Sequence, residues 1–187
     1  MFSERAINQS DTGWIEVICG CMFSGKTEEL IRRVRRAEIA GLSIIVFKPK
    51  TDSRYHDSNV VSHNKTETKA IAVFKSVDIL DLVSDQHVIC IDEAQFFDDE
   101  IVAVCNKLAN YGKRVIVAGL DMDFKGRPFG PMPFLMAVAE YVTKLHAICI
   151  KTGGLASYSF RKSDETAEIL LGENDIYEAR GRSSFFD

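Results

Sequence analysis

Short apolar runs alternate along this 187-residue chain with segments whose apolar positions recur at helical spacing. The apolar runs predict buried strands at residues 14–19, 43–47, 70–74, 88–92, 115–119 and 142–150. Helices are predicted between them at residues 26–40, 77–83, 100–109 and 134–139. Strands that alternate with helices, and that are apolar on both faces, indicate an α/β fold in which helices flank a parallel sheet.

Three regions depart from this alternation. Residues 48–68 are polar and lack periodicity, which predicts a long loop, and a loop rich in Gly and Pro is predicted at 124–132. From about residue 150 the chain is small and polar, and its one candidate strand lies at 168–171. We therefore expect an α/β domain at residues 1–149 and a small irregular lobe at residues 150–187.

The turn after the first predicted strand, residues 20–27, fits the phosphate-binding pattern G-x-x-x-x-G-K-[ST]. Its glycines let the backbone wrap around a phosphate, and the following helix directs its N-terminal dipole at the same anion. In this pattern Lys26 reaches the β and γ phosphates, and the Thr27 hydroxyl ligates Mg²⁺. The sequence thus predicts a P-loop NTPase-type domain whose nucleotide contacts include Gly20, Ser24 and Gly25.

Two acidic residues, Asp92 and Glu93, follow the strand predicted from residue 88. An aspartate at the end of a buried strand beside a P-loop is a usual second partner of Mg²⁺, so we assign the ion to Thr27 and Asp92. Glu93 is the candidate general base, which would accept the proton of a substrate hydroxyl. A P-loop alone does not name the acceptor, and an ATPase, a GTPase, a nucleoside kinase and a motor all remain open at this point.

Composition and charge exclude several partners. The net charge of −4 argues against a nucleic-acid partner, and the arginines of residues 32–36 are interpreted as a solvated helix face. No apolar run approaches the length that spans a bilayer, so no membrane partner is expected. The five cysteines include no Cys-x-x-Cys pair, which favours a reducing, cytoplasmic location.

Several long blocks, in order, give the chain a close resemblance to the type II thymidine kinase family. The matching blocks are residues 20–27, 92–97, 119–124, 127–130, 142–149 and 177–180. The resemblance implies ATP-dependent phosphorylation of the thymidine 5′-hydroxyl, which yields dTMP and ADP for nucleotide salvage and DNA synthesis. It also assigns the triphosphate and Mg²⁺ to Lys26 and Thr27, the Mg²⁺-side aspartate to Asp92 and the general base to Glu93.

The resemblance further implies where thymidine binds. Members of the family shelter the nucleoside in an apolar pocket, and the matching residues here are Met22, Phe96, Leu120, Phe124 and Phe129. Asp52 and Arg54 match a polar pair near the sugar and phosphates. Main-chain groups of a lasso loop hold the base in the family, which corresponds to residues 155–177 with Tyr177 itself matched.

The small lobe departs from the family at a metal site. Type II thymidine kinases commonly hold a structural zinc with four cysteines, and only Cys149 is kept here. The other three positions are Thr152, Gly181 and Ser184, so no structural zinc is expected. Packing must then hold the lobe, and the candidate side chains are Phe160, Phe185 and Phe186.

Alternative functions remain open beside a thymidine kinase. The altered lobe motivates a deoxynucleoside kinase of shifted specificity, and the P-loop alone allows a catalytically inactive nucleotide-binding regulatory module. A DNA-dependent ATPase is a third possibility, and the acidic net charge argues against it.

The family resemblance also implies a homotetramer that is inhibited by the triphosphate end product.

Overall fold

The computed structural model of the protein describes residues 12–50, 59–61, 67–162 and 176–187. Its strands are β1 (Trp14–Gly20), β2 (Ile44–Pro49), β3 (Asn59–Val61), β4 (Glu67–Lys69), β5 (Ile71–Val73), β6 (Val88–Ile91), β7 (Arg114–Leu120), β8 (Tyr141–Leu145), β9 (Ala147–Ile148), β10 (Leu155–Ala156), β11 (Tyr158–Arg161) and β12 (Tyr177–Arg180). Its helices are α1 (Lys26–Ile39), α2 (Asp78–Leu82), α3 (Ile101–Asn110), α4 (Met132–Val138) and α5 (Arg182–Phe185). None of the helices in these ranges has the length and apolar character to cross a membrane.

Six of these strands form one sheet in the order β5-β2-β6-β7-β1-β8, and every pairing within it is parallel. Side chains alternate across its faces, so Val17 and Ile18 enter two different cores. Helix α1 covers the face of Ile18 with Leu30 and Val34. Helices α3 and α4 cover the opposite face. The predicted α/β fold with a parallel sheet flanked by helices is confirmed.

The parallel topology explains why the predicted nucleotide-binding residues meet. All strands of the sheet point the same way, so the turns after β1, β6 and β7 lie at one edge. The P-loop follows β1, the acidic pair follows β6, and the loop with Asp121 follows β7. Residues that are far apart in the sequence are therefore gathered at the carboxyl edge of the sheet.

The predicted strand at 142–150 is wrong in its extent. The chain leaves the sheet after Leu145, and after His146 the residues Ala147–Ile148 form β9, which pairs antiparallel with β10. The predicted loop at 48–68 is also interrupted, because β2 continues to Pro49 and β3 pairs antiparallel with β4. Its residues 51–58 and 62–66, and the candidate strand at 168–171, lie outside the described residues.

Aromatic side chains hold the small lobe together, as expected. Tyr158 stacks on Phe185 with ring centroids 4.4 Å apart, and Phe186 meets both rings edge-on. Phe160 meets Phe185 edge-on at 6.2 Å, and the Arg180 guanidinium lies 3.3 Å from the Phe160 centroid. Contacts of this kind each add to the burial of the rings themselves. The division of the chain between residues 149 and 150 stays a prediction.

A charged cluster lies inside the main domain. Glu16 is fully buried on β1, and its carboxylate lies 2.7 Å from both Arg33 Nη1 and Arg114 Nε. Trp14 Nε1 also donates to it. Burial by itself raises the pKa of Glu16, but the hydrogen bonds and charges of Arg114, Trp14 and Arg33 outweigh burial and leave that pKa lowered.

The interpretation of the arginine cluster as a solvated face is therefore wrong for one residue. Arg33 is only 4% exposed, whereas Arg32, Arg35 and Arg36 are exposed. Arg33 also donates to Glu29 and to Thr143. The helix turns this one arginine inward because the buried carboxylate of β1 needs a cationic partner.

Candidate active site

The loop at residues 20–25 has the backbone that a phosphate cradle requires. Gly20 has φ +143°, and a Cβ there would lie 2.3 Å from the Leu145 carbonyl oxygen, so only glycine fits. Gly25 has φ +85° immediately before α1. Phe23 also has a positive φ, +63°, although it is not a glycine. Such backbone is found where a loop turns its amides toward a ligand.

The polar side chains of this loop are poised for an anion. Lys26 Nζ donates to the Cys21 carbonyl oxygen at 2.8 Å, so the ammonium folds back over the loop. Ser24 Oγ is buried and makes no hydrogen bond with any described residue. The N-terminal end of the fourteen-residue helix α1 faces the same space with its free amides. These groups fit the phosphates of a nucleotide.

Thr27 and Asp92 meet across the edge of the sheet. The Thr27 hydroxyl lies 3.5 Å from Asp92 Oδ2, although Thr27 opens α1 and Asp92 follows β6. Burial raises the pKa of Asp92 to about 7, and the adjacent Glu93 carboxylate acts in the same direction. A bound cation would stabilise the ionised form of this buried carboxyl.

Glu93 is held in an unusual backbone conformation beside Asp92. Its φ of +52° lies in the left-handed region, which is costly for a residue with a side chain. Its amide N–H donates to Asp92 Oδ1 at 2.9 Å, and its side chain is exposed. The Gln95 amide nitrogen donates to Glu93 Oε2. The two neighbouring acids therefore differ, since one is buried and the other faces outward.

The predicted apolar residues fall into two groups. Phe96, in a 3-10 turn at Ala94–Phe96, meets Phe129 edge-on with centroids 5.6 Å apart. Leu120 adjoins this turn, because its N–H donates to the Gln95 side chain at 2.9 Å. Phe124 and Tyr177 form the second group. Met22 lies in the P-loop between the sheet and the lobe, where its N–H donates to Ser159 Oγ.

Arg161 joins Phe124 to Tyr177, and sequence reasoning missed it. Its guanidinium lies 3.5 Å from the Phe124 centroid, and its Nη2 donates to the Tyr177 hydroxyl at 2.7 Å. Arg161 is only 6% exposed. The arginine thus fixes two predicted pocket residues that lie 53 positions apart in the sequence, and no motif announces such a contact.

The P-loop is bonded directly to the small lobe. Cys21 Sγ donates to the Ala156 carbonyl oxygen at 3.3 Å, and the Met22 N–H donates to Ser159 Oγ at 2.9 Å. Ala156 belongs to β10 and Ser159 to β11. The lobe therefore lies against the phosphate-binding loop.

Two further acids, which had no role assigned from the sequence, follow β7 within the matched block at residues 119–124. Asp121 is buried, and its Oδ2 forms an ion pair with Lys144 Nζ at 2.7 Å. Asp123 Oδ1 accepts hydrogen bonds from the amides of Lys125 and Arg127 and so shapes the turn before Phe129. The predicted residues Asp52 and Arg54 lie outside the described residues.

The four positions that correspond to zinc ligands in the resemblance do lie near one another. Cys149 Sγ is 3.3 Å from Ser184 Oγ, and a Cβ at Gly181 would come within 3.9 Å of Cys149 Sγ. Hydrogen bonds from Ser184 and Thr152 lower the pKa of Cys149 to about 6. Within the described ranges, no three His, Cys, Asp or Glu side chains are grouped to hold a metal ion.

This arrangement predicts that the protein folds without zinc. We expect purified protein to contain far less than one zinc per chain and to keep its Tm after treatment with a zinc chelator. The reason is that the stacking of Tyr158 on Phe185 and the contact of Cys149 with Ser184 stabilise this part of the chain without a metal. Differential scanning calorimetry with metal analysis tests it. Phe185→Leu, which erodes the cluster, is the positive control and should lower Tm; stoichiometric zinc would contradict the prediction.

Comparisons with known proteins show what the whole chain is similar to. A family model described as thymidine kinase matches residues 13–185. A thymidine kinase from Rhodothermus sp. (strain ITI 518) is 57% identical over 173 residues, which cover 92% of this chain and 81% of that protein. One from Bacteroides fragilis (strain ATCC 25285) is 52% identical over 186 residues, covering 99% and 94%. One from Porphyromonas gingivalis (strain ATCC 33277) is 53% identical over 173 residues, covering 92% and 85%.

Proposed function

Because this chain belongs to the thymidine kinase family and is a phosphotransferase of that activity, we propose that its active site lies at the carboxyl edge of the sheet. There the P-loop meets the acidic pair that follows β6. The single observation that carries the proposal is the approach of the Thr27 hydroxyl to the Asp92 carboxylate, at 3.5 Å. This contact places the first turn of α1, where the phosphates would bind, beside the aspartate that phosphoryl transfer requires.

The P-loop binds and orients the triphosphate of ATP. Its glycine backbone and the first amides of α1 surround the phosphates, and Ser24 supplies a hydroxyl that no described group already uses. Lys26 exchanges its bond to the Cys21 carbonyl for the phosphate oxygens. These contacts stabilise the charge that spreads over the equatorial oxygens during transfer.

The residues at Thr27 and Asp92 fit Mg²⁺. A hydroxyl and a buried carboxylate are the oxygen donors that this ion prefers, and it takes its other ligands from phosphates and water. Burial raises the pKa of Asp92, and a bound cation would offset this by stabilising the ionised carboxylate. When bound, Mg²⁺ would neutralise charge on the β and γ phosphates.

Glu93 accepts the proton of the thymidine 5′-hydroxyl. Its side chain is exposed beside the P-loop end of the sheet, and no described basic residue is paired with it. The apolar pocket residues, with Phe96 against Phe129 and Phe124 under Arg161, would position the nucleoside and exclude water. Asp52, Arg54 and the lasso loop complete the proposed substrate site.

We also propose that the enzyme is a cytoplasmic homotetramer and that the triphosphate end product inhibits it. The location is supported by the five cysteines, which are all unpaired and buried. The assembly is supported by apolar side chains exposed at both edges of the sheet, with Phe74 beyond β5 and Tyr141 on β8.

Substitution of Thr27 tests the magnesium assignment. Thr27→Val keeps the shape of the side chain but removes the hydroxyl, so we expect kcat/KM to fall roughly 10²-fold, the scale of losing one preorganised polar contact. The Mg²⁺ concentration for half-maximal rate should rise, while ATP binding measured without Mg²⁺ stays close to normal. Thr27→Ser restores the hydroxyl and should recover most of the loss. A valine enzyme with native Mg²⁺ dependence would overturn the assignment.

A further inference from the structure

Gln95 lies between the proposed base and the wall of the substrate pocket. It is only 3% exposed and belongs to the 3-10 turn that follows Glu93. Its Oε1 accepts a hydrogen bond from the Leu120 N–H at 2.9 Å, and its Nε2 donates to Glu93 Oε2. One buried amide thus touches a residue on each side of the site.

The Leu120 contact settles which way the amide points. A backbone N–H can only donate, so the oxygen of Gln95 must face Leu120. The NH₂ group must then face Glu93, whose carboxylate can accept its hydrogen. In a reversed amide the Gln95 NH₂ group would face the Leu120 N–H, and the Gln95 oxygen would face the Glu93 carboxylate. Neither hydrogen bond could then form.

Close packing leaves Gln95 little freedom. A Cβ at Gly119 would lie 2.9 Å from Gln95 Oε1, and a Cβ at Gly130 would lie 2.3 Å from the Gln95 carbonyl oxygen. Both neighbours are glycines, which lets the backbone of β7 and of the following loop approach the turn. The amide is therefore held from several sides and is a firm support for what it binds.

Glu93 needs such a support. Its backbone is strained at φ +52° and its side chain is exposed, so its carboxylate would otherwise sample several rotamers. The bond from Gln95 engages Oε2. Oε1 is then the oxygen that this bond leaves available to accept a substrate proton.

We propose that Gln95 is a positioning residue of the kinase reaction, which holds Glu93 so that its second carboxylate oxygen faces the 5′-hydroxyl. The inference rests on the proposed function, in which Glu93 is the general base. Through Leu120, the same amide ties the orientation of the base to the pocket wall that contacts thymidine. Gln95 acts only through these neighbours and does not itself touch the reacting atoms.

The first test replaces Gln95 by Met, which has a similar length but no hydrogen-bonding amide. We expect kcat to fall about 10²-fold, the cost of misplacing a reacting group by about 1 Å. KM for ATP should change little, because the P-loop is untouched. Gln95→Glu is the second variant, since it keeps an acceptor for the Leu120 N–H but sets a carboxylate against Glu93. If the donated bond matters, Gln95→Glu loses kcat as well.

A double-mutant cycle separates positioning from a structural role. In a Glu93→Gln background the base is absent, so adding Gln95→Met should cause little further loss in single-turnover rate. ATP affinity and Tm, measured on all variants, report folding independently of activity. The matched control is Asn106→Leu, which removes a half-buried amide bonded to a helix carbonyl far from Glu93.

Each outcome decides something distinct. Loss of kcat in the native background alone, with ATP affinity retained, supports positioning. Equal losses in both backgrounds, native kcat in Gln95→Met, or native kcat in Gln95→Glu would overturn it. Native activity in Glu93→Gln by itself would instead overturn the base assignment, which is a failure of the proposed function.

Discussion

A Glu93→Gln enzyme is expected to phosphorylate thymidine about 10²–10⁴ times more slowly than the native enzyme, the range that general base catalysis contributes. Glutamine keeps the size of the side chain and can still meet Gln95, but it cannot accept the 5′-hydroxyl proton. Lys26, Thr27 and the P-loop backbone are unchanged by this substitution. The loss should therefore appear in kcat, with ATP affinity nearly intact.

Single-turnover transfer of labelled γ-phosphate and calorimetric ATP titration measure the two quantities separately. The matched control is Glu38→Gln, which neutralises an exposed carboxylate on α1 instead. It should leave both the transfer rate and the ATP affinity unchanged. A Glu93→Gln enzyme that retained native kcat would show that some other group takes the proton. Loss of ATP binding along with kcat would show that Glu93 helps to build the nucleotide site.

A Glu16→Gln protein is expected to lose about 3–5 kcal/mol in its free energy of unfolding, the cost of removing one partner from a buried ion pair. The substitution preserves the packing around β1 but removes the charge that Arg33 and Arg114 share. Both guanidiniums are nearly inaccessible to water, at 4% and 5% exposed, so solvent cannot replace the carboxylate.

Urea unfolding followed by circular dichroism gives the free energy. The control is Arg32→Ala, which breaks an ion pair with Glu29 at a side chain that is 56% exposed. That change should cost less than about 1 kcal/mol, because surface pairs contribute little. Equal effects of the two substitutions would mean that the buried cluster is not a major source of stability.

The main sheet was predictable because its strands are buried on both faces. β6 and β7 lie under helices on either side, so nearly all their residues are apolar and form continuous runs. The P-loop was predictable for a different reason, since binding phosphate by backbone amides requires glycines at set positions. Both signals are local, and each survives in a short stretch of sequence.

Features that depend on distant contacts were not predictable. The strand expected at 142–150 divides because β9 finds β10 as a partner, and nothing in its own apolar residues reports that pairing. Arg33 resembles its exposed neighbours until the buried carboxylate of Glu16 is known. In the site, Gln95 stands within a block that was recognised, but its two hydrogen bonds join residues that the sequence separates.

The contact of the P-loop with the small lobe has a thermodynamic consequence. The Met22 amide and the Cys21 thiol are bonded to β11 and β10, so the loop proposed to bind ATP is linked directly to the lobe. Free-energy coupling between two ligands is reciprocal. If a nucleoside that contacts the lobe tightens ATP binding by some factor, ATP must tighten nucleoside binding by the same factor. Ser159 would then be one of the contacts through which occupancy by one substrate changes the affinity for the other.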